Sequence, residues 1–471
     1  MSVVESESIR ARTAWQALPF FYGWVIVVMS ALAMLATFPG RSHGLGTITE
    51  RLVDDPDFLK DPDLFAGLRT LTGPRLLREA QRSQDATWQA DLKEFRKRMR
   101  DRFGGLNLWT TLLGALFCMP CGKLVDRFGA RRNLTLVTAS LGLVVLAMTA
   151  LNGYWPFFIA LLLTRGLGQS ALSVISLAMP GKWFSHRLGF AMGVYTILMA
   201  LGFISAFSGI AQFKDADWRS VWSAIGYILL LGIAPLSWLL VRNTPEQVGL
   251  RVDGAVLPND VPVSPAAGST LMQALAEPAF WAFALATSMY GLVSSGVLLF
   301  NQDILRERGF NDDAYYRLLE MSTGLGLTGN FLGGYLTQRM TLRRVMGLSM
   351  SLLAGALFWM PHVTDFRDLC GYAVGMSLGG GMMTVVFFTA FGKVFGRLQL
   401  GQIQGIAQML TVFASALGQK LVPHCNRLFD SYMPFFNASA CVVVALGVWT
   451  LVLRMPQAGA ASEAQPDESA A

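Results

Sequence analysis

Apolar residues run through this chain in long stretches broken by short polar ones. Twelve such stretches lie near 21–46, 107–122, 133–152, 155–180, 190–211, 220–241, 278–300, 317–337, 345–362, 369–392, 403–423 and 433–454. A helix of roughly 20 residues covers the hydrocarbon layer of a membrane, and these runs are of that order. None shows the two-residue alternation of a membrane β-barrel strand. The pattern predicts an all-α membrane protein with twelve transmembrane helices. Composition agrees, because 53% of the 471 residues are apolar and only 15% are charged, too few charges to coat a soluble globule. The first run is too long for the apolar core of a cleavable leader, and Glu5 and Glu7 precede it, so it is expected to stay as a helix.

Lysine and arginine placement orients these helices. With the N-terminus in the cytoplasm, the short inner segments hold sixteen basic residues and the short outer loops seven. The expected order is a cytoplasmic tail 1–20, a six-helix bundle 21–241, a cytoplasmic linker 242–275, a second six-helix bundle 276–454 and a cytoplasmic tail 455–471. The implied location is the plasma membrane, the inner membrane of a bacterial cell. Residues 48–104 interrupt the first bundle as an extracytoplasmic insertion. Asp54-Asp55-Pro and Asp61-Pro open it with turns. Leu77, Ala80, Trp88, Leu92, Phe95, Met99 and Phe103 then recur at helical spacing, which predicts one or two amphipathic helices over the outer mouth.

The chain also repeats itself. Gly122-Lys-Leu-Val-Asp126-Arg127-Phe-Gly129-Ala-Arg131-Arg132 follows the second run, and Gly334-Tyr-Leu-Thr-Gln338-Arg339-Met-Thr-Leu-Arg343-Arg344 follows the eighth. Gly181-Lys182-Trp-Phe184 is echoed by Gly392-Lys393-Val-Phe395, and Gly189 and Gly193 by Gly401 and Gly405. Helices 1–6 and 7–12 are therefore two copies of one unit. An even number of crossings makes the copies parallel, the arrangement of transporters built from two six-helix halves.

The segment from Gly122 to Arg132 resembles the signature loop of the major facilitator superfamily, and the resemblance spans nearly the whole chain outside 48–104 and the tails. Within it, Phe21-Tyr-Gly-Trp24, Pro39-Gly-Arg-Ser-His-Gly44, Trp183-Phe184, Gly189-Phe-Ala-Met-Gly193, Pro245-Glu246-Gln-Val-Gly249 and Phe280-Trp281 resemble the monocarboxylate and oxalate–formate branch and its bacterial relatives. The resemblance implies a secondary transporter working by alternating access on a small organic anion such as a monocarboxylate, with proton coupling or anion exchange. A drug/proton antiporter is the alternative within the superfamily, although helix five lacks the Gly-Pro pattern of that group. A non-transporting sensor on the same fold is the alternative outside it, and the short tail beyond Met455 offers little output domain. In the signature loops, Gly122, Asp126, Arg127, Gly129, Arg131 and Arg132, with Gly334, Arg339, Arg343 and Arg344, are candidate gating residues. Charges there can pair across helix ends while that side is closed and separate when the halves rock apart. The plainer reading is that the arginines only obey the positive-inside rule. Gln338 replaces the acid in the second copy, so a weaker latch is expected there.

A charge at membrane depth costs about 2.5–3.5 kcal/mol on insertion scales, so it marks a functional candidate. Arg165 in helix four is the first, aligned along one face with Gln169, Ser173 and Ser176. Leu161-x-x-x-Arg165 resembles the helix-four arginine motif of the superfamily. Arg41 shares a face of helix one with Ser30 and Thr37, where Pro39-Gly40 is expected to loosen the helix; snorkelling to the interface is its other reading. His43, Asn330, Ser288, Ser295 and Gln408 complete the candidate substrate-binding set, and each of the neutral residues has a second reading as helix–helix glue. No Asp or Glu lies comparably deep, which favours a carboxylate or similar anion.

Other motifs carry no chemistry in this setting. Cys118-Met-Pro-Cys121 has neither a second pair nor a nearby histidine, and reads as two inert thiols. Gly324-Leu-Gly326-Leu-Thr-Gly329 spells a dinucleotide fingerprint but sits in a membrane helix without a βαβ unit. No nucleophile elbow, Walker loop or metal spacing is present, so neither an enzyme nor a cofactor is expected. The implied partners are the lipid bilayer and a small anionic solute, with protons as a coupling ion; no nucleic acid is implied.

Overall fold

The computed structural model describes residues 20–42, 44–46, 85–213, 217–254 and 268–453. These are helical almost throughout. In chain order the long helices are α1 (Gly23–Leu35), α2 (Ala86–Phe128), α3 (Ala130–Met148), α4 (Tyr154–Trp183), α5 (Leu188–Ala211), α6 (Trp218–Leu240), α7 (Pro278–Glu307), α8 (Asp312–Arg339), α9 (Leu342–Trp359), α10 (Phe366–Phe395), α11 (Leu400–Phe429) and α12 (Met433–Val452). Among the described residues, ten are long and apolar enough to cross a membrane. The other two are α1, which is apolar but short, and α8, whose first turns carry Asp312, Asp313, Arg317 and Glu320.

Helix pairing repeats between the two halves. α1 packs on α5, α2 on α4 and α3 on α6; likewise α7 packs on α11, α8 on α10 and α9 on α12. The halves meet chiefly through α2 with α11 and α5 with α8. Exposed apolar side chains such as Leu136, Ile159, Leu231 and Val448 cover the outer faces, as expected of surfaces solvated by lipid.

Two boundaries differ from expectation. α1 is expected as one run over 21–46, but the helix ends at Leu35 and a 3₁₀ turn, Phe38–Gly40, follows. Pro39 at the second position of that turn cannot continue an α-helical ladder. α2 begins at Ala86 rather than near 107, so the last part of the 48–104 segment is a direct extension of the membrane helix and not a separate cap. The charges from Lys93 to Arg102 end the apolar run without ending the helix, since no proline intervenes before Pro120. Asp85 caps the start by accepting from the Thr87 N–H at 2.7 Å, and these hydrogen bonds hold its carboxyl below the usual carboxylate range. Leu92, Phe95, Met99 and Phe103 form the buried face of the extension; Leu77, Ala80 and the two Asp-Pro turns lie outside the described residues. Finally, residues Arg165–Leu172 in the middle of α4 are π-helical, a widened turn of the kind that recurs at functional sites.

Candidate functional site

The widened turn of α4 exists where three helices come unusually close. A Cβ on Gly40 would lie 2.5 Å from the Thr164 carbonyl oxygen and 2.7 Å from the Gln169 nitrogen, and one on Gly114 would lie 2.9 Å from the Arg165 Cβ. Arg165 therefore sits wedged between α1, α2 and α4, only 1% exposed. Its Nη1 donates to the Gly40 carbonyl at 2.9 Å and to Gln169 Oε1 at 2.8 Å. Its Nη2 donates to Ser42 Oγ at 3.3 Å and to Asn107 Oδ1. The Gly40 carbonyl is one of the acceptors left without an intrahelical partner where α1 unwinds, so the break in one helix and the cation of another satisfy each other. Nε of Arg165 is buried with no partner.

Arg41 leaves the turn in extended backbone and folds back toward the bundle interior. Nε donates to Thr37 Oγ1 at 2.7 Å, and Nη2 reaches Met34 Sδ at 2.8 Å and Ser173 Oγ at 3.3 Å. The guanidinium carbon lies 5.7 Å from the centre of the Phe203 ring on α5. The inward direction opposes snorkelling. Arg165 bonds the Gly40 carbonyl and Ser42, the residues on either side of Arg41, so the two arginines meet on the same turn, and among the described residues neither pairs with a carboxylate. One turn deeper, Ser176 donates to the Ser30 carbonyl at 2.7 Å and shares a 2.8 Å hydrogen bond with the Tyr195 hydroxyl. The Tyr195 ring meets Phe388 of α10 edge-on at 5.4 Å, bridging the halves. Gln169 thus joins Arg165, Ser173 joins Arg41, and Ser176 ties α4 to α1 and α5 without touching either arginine.

The second half contributes neutral groups. Ser288 and Thr411 hydroxyls approach to 3.4 Å, and Ser295 donates to the Ser415 carbonyl at 2.6 Å, so both serines tie α7 to α11. Asn330 is buried with Oδ1 unpartnered, as is Nε2 of Gln404; Gln408 is buried on the same helix as Gln404. His43 lies outside the described residues.

At the end of the bundle bearing the signature loops, the halves interlock. Asp126 Oδ1 accepts from the Gly401 N–H at 3.0 Å and Oδ2 from the Gln402 N–H at 2.9 Å, so a carboxylate of α2 caps the free N–H groups of α11. Its charge partner is Lys182 of α4, with Nζ 3.0 Å from Oδ1. The expected pairing with the loop arginines is absent among the described residues. Arg127 follows Asp126 by one residue and so points about 100° away around the helix, lying over Phe128. Arg131 stacks 4.3 Å from the Trp238 ring and donates to the Trp238 carbonyl at 2.7 Å, binding α3 to α6 within one half. Arg132 and Arg344 are exposed, Arg339 lies over Tyr335, and Arg343 reaches the Leu453 carbonyl at 3.4 Å. In the second copy Gln338 is exposed, and Lys393, the counterpart of Lys182, donates to the Thr337 carbonyl at 2.8 Å.

Glycines make this approach close enough. A Cβ on Gly122 would come within 2.3 Å of the Gly401 carbonyl oxygen, one on Gly189 within 2.1 Å of Thr337 Oγ1, and one on Gly193 within 3.1 Å of the Gly334 Cα. Gly129 turns the chain from α2 into α3 at φ +82, against Asn243. Toward the opposite end, Ser205 of α5 and Thr323 and Thr328 of α8 are exposed. Sequence reasoning missed Asn107, which stood at the edge of an apolar run, and the role of Lys182, which stood in the repeat but whose partner lies 56 residues away. Cys118 and Cys121 are buried free thiols, and no metal-binding cluster is present among the described residues. Gly324, Gly326 and Gly329 lie within α8.

This helical fold has known counterparts. The human organic anion transporter MFSD10 superposes with a TM-score of 0.62 at 12% identity, over 91% of this chain and 98% of that one. The proton:xylose symporter XylE gives 0.62 at 14% identity, over 92% and 95%. In sequence, the MFS-type transporter hasB of Aspergillus fumigatus is 25% identical over 311 residues, 63% of this chain. The match spans 64% of the length of that relative and of a second fungal one. The family model described as Major Facilitator Superfamily matches residues 103–419. The chain is thus a multi-pass membrane protein that belongs to the major facilitator superfamily.

Proposed function

We propose that the protein is a secondary transporter of a small organic anion, with Arg41 as the principal contact and Arg165 as the fixed charge behind it. In this reading all twelve helices cross the membrane, both tails and the 242–275 linker are cytoplasmic, and the end closed by Asp126 faces the cytoplasm. The observation that carries the proposal is the pair of neighbouring guanidiniums with only neutral partners. Two cations in a low-dielectric interior repel, and an entering anion relieves that cost. Arg165 already has four neutral acceptors, whereas Arg41 spends one hydrogen bond on a thioether, a weak acceptor. A carboxylate replacing Met34 there gains a charge-assisted, bidentate contact. A monocarboxylate, as the monocarboxylate and oxalate–formate resemblance implies, fits this geometry. The human protein of similar fold, MFSD10, is an organic anion transporter.

Uptake into proteoliposomes tests this across anionic, neutral and cationic solutes. A carboxylate should be preferred, and Arg41→Lys should cut its transport roughly tenfold, the loss of about 1.4 kcal/mol expected when a bidentate contact becomes a single one. Preference for a cation, or unchanged carboxylate transport by Arg41→Lys, overturns the reading.

A further inference from the structure

Asn330 of α8 is buried, and its Oδ1 has no hydrogen-bond partner. A buried acceptor without a donor has given up its water and gained nothing in return, so a donor brought in by a ligand is favoured there. The packing around Asn330 shows what such a ligand would meet. A Cβ on Gly381 of α10 would come within 2.7 Å of the Asn330 backbone nitrogen, so α8 and α10 touch at this point. The hydroxyl of Tyr290, from α7, fills the space that a Cβ on the adjoining Gly380 would take. Thr384, one turn further along α10, lies beside that hydroxyl and donates to the Gly380 carbonyl at 2.9 Å. Tyr290 and Thr384 are half-buried. One stretch of α10 thus carries an unpartnered amide oxygen on its α8 side and two hydroxyls on its α7 side.

Both α4 and α10 run toward the closed end, which they reach at Lys182 and near Arg397. Tyr195 fixes their relative height, because its hydroxyl bonds Ser176 of α4 and its ring meets Phe388 of α10. Arg41 bonds Ser173, three residues before Ser176. Thr384 and Gly380 precede Phe388 by four and eight residues. At the helical rise, Ser173 stands about 4.5 Å and the α10 stretch about 6–12 Å from the Tyr195 bridge, both away from the closed end. The cation and the neutral polar cluster therefore lie just past the bridge, on opposite sides of the seam between the halves. We propose that the transported anion carries a hydroxyl remote from its carboxylate, held by Asn330 Oδ1 and the Tyr290 hydroxyl while Arg41 holds the carboxylate. This rests on the anion reading above and narrows it. A 2-hydroxy acid does not meet the requirement, because its hydroxyl stays beside the carboxylate on the Arg41 side. A hydroxyl suits the cluster better than an ammonium, since desolvating a charge against neutral groups costs more than desolvating a hydroxyl.

Uptake by proteoliposomes of the full-length protein tests this with butyrate, 2-hydroxybutyrate, 4-hydroxybutyrate and 4-aminobutyrate. The apparent affinity for 4-hydroxybutyrate should exceed that for butyrate at least tenfold, because butyrate leaves the Asn330 acceptor unpaired. That for 2-hydroxybutyrate should stay within about twofold of butyrate. Asn330→Leu should erase the preference for 4-hydroxybutyrate. Tyr290→Phe, which removes a single oxygen, should narrow it to about threefold, and reports even where Asn330→Leu folds poorly. The readout is the ratio of two solutes on one preparation, which a general loss of active protein does not change. Arg41→Lys should weaken both solutes and keep their ratio. A ratio near one in the unaltered protein, with butyrate still transported, overturns this proposal and leaves the anion reading standing. Uptake of none of the four overturns both. Higher affinity for 4-aminobutyrate than for 4-hydroxybutyrate, or an unchanged ratio in Tyr290→Phe, also overturns the assignment.

Discussion

Asp126 shows how much one side chain can decide. It accepts two backbone N–H groups across the boundary between the halves and pairs with Lys182, with its carboxylate only 7% exposed. An asparagine there keeps one acceptor but turns an amide N–H₂ toward one of the Gly401 and Gln402 N–H donors, and it leaves the Lys182 charge unpaired. A loss of about 2 kcal/mol from the closed state, roughly thirtyfold in the state equilibrium, is expected for Asp126→Asn. Transport should therefore slow more than substrate affinity falls, while Gln338→Ala, on an exposed side chain, should do little. Equal and small effects of the two variants on the transport rate would return the loop to a role in topology alone. Arg165 and Asp126 were legible in the sequence because a charge in an apolar run, or between two glycines, is unusual in itself. The direction of Arg41 was not, since it depends on where α1 unwinds and on Ser173, 132 residues away. Asn107 was hidden for a similar reason, as nothing local distinguishes an asparagine that satisfies a distant guanidinium from one at a helix end.

At the scale of elements, the interlock is made by helices that approach through glycine. Gly122 against Gly401 and Gly334 against Gly189 are related by the internal repeat, so the two cross-half seams are copies of one contact. The repeat and the run lengths made the two-bundle fold readable in advance. The extension of α2 to Ala86 was not, because a hydropathy run ends at charges while a helix ends at a cap or a breaker. A branched side chain at Gly401 would start with its Cβ 2.7 Å from the Gly122 carbonyl and 2.9 Å from Asp126 Oδ1, in contact with backbone that cannot rotate away. Gly401→Val should therefore hold this end open. Thr337, buried in the sister seam, reports on it: in a background lacking the five native cysteines, Thr337→Cys should react with an impermeant maleimide severalfold faster when Gly401→Val is present. That reaction should occur in inverted vesicles and not in intact cells if this end faces the cytoplasm. Unchanged reactivity would mean that the seams open independently.

Across the whole molecule, the segment after α6 fastens both halves at the closed end. Asp253 accepts the backbone N–H groups of Ser185, His186 and Arg187 between α4 and α5, at 2.9–3.3 Å. Trp183 Nε1 donates to the Arg242 carbonyl at 3.2 Å, which anchors the same segment to α4. Those contacts stay within the first half and should survive any rocking of the bundles as rigid bodies. Glu246 differs, because Arg397, its partner at 2.9 Å, belongs to the loop between α10 and α11 of the second half. The pair must separate or be dragged along when this end opens. With side chains only 16% and 21% exposed, it is better shielded than a surface ion pair, whose worth is about 0–1 kcal/mol. Removing one partner also leaves the other charge half-buried and unmatched. Arg397→Ala should therefore shift the equilibrium toward the open end by roughly tenfold, in the same direction as Asp126→Asn. Combined, the two losses should fall short of additive, since Asp126 caps α11 immediately beyond the loop that Arg397 occupies and both substitutions relax that loop. Reversing the pair with Glu246→Arg and Arg397→Glu should restore much of the closed population, which a mere packing role for Arg397 does not predict. Full additivity of the two single losses, read from the Thr337→Cys reaction rate, would show instead that the strap and the Asp126 latch act on separate motions.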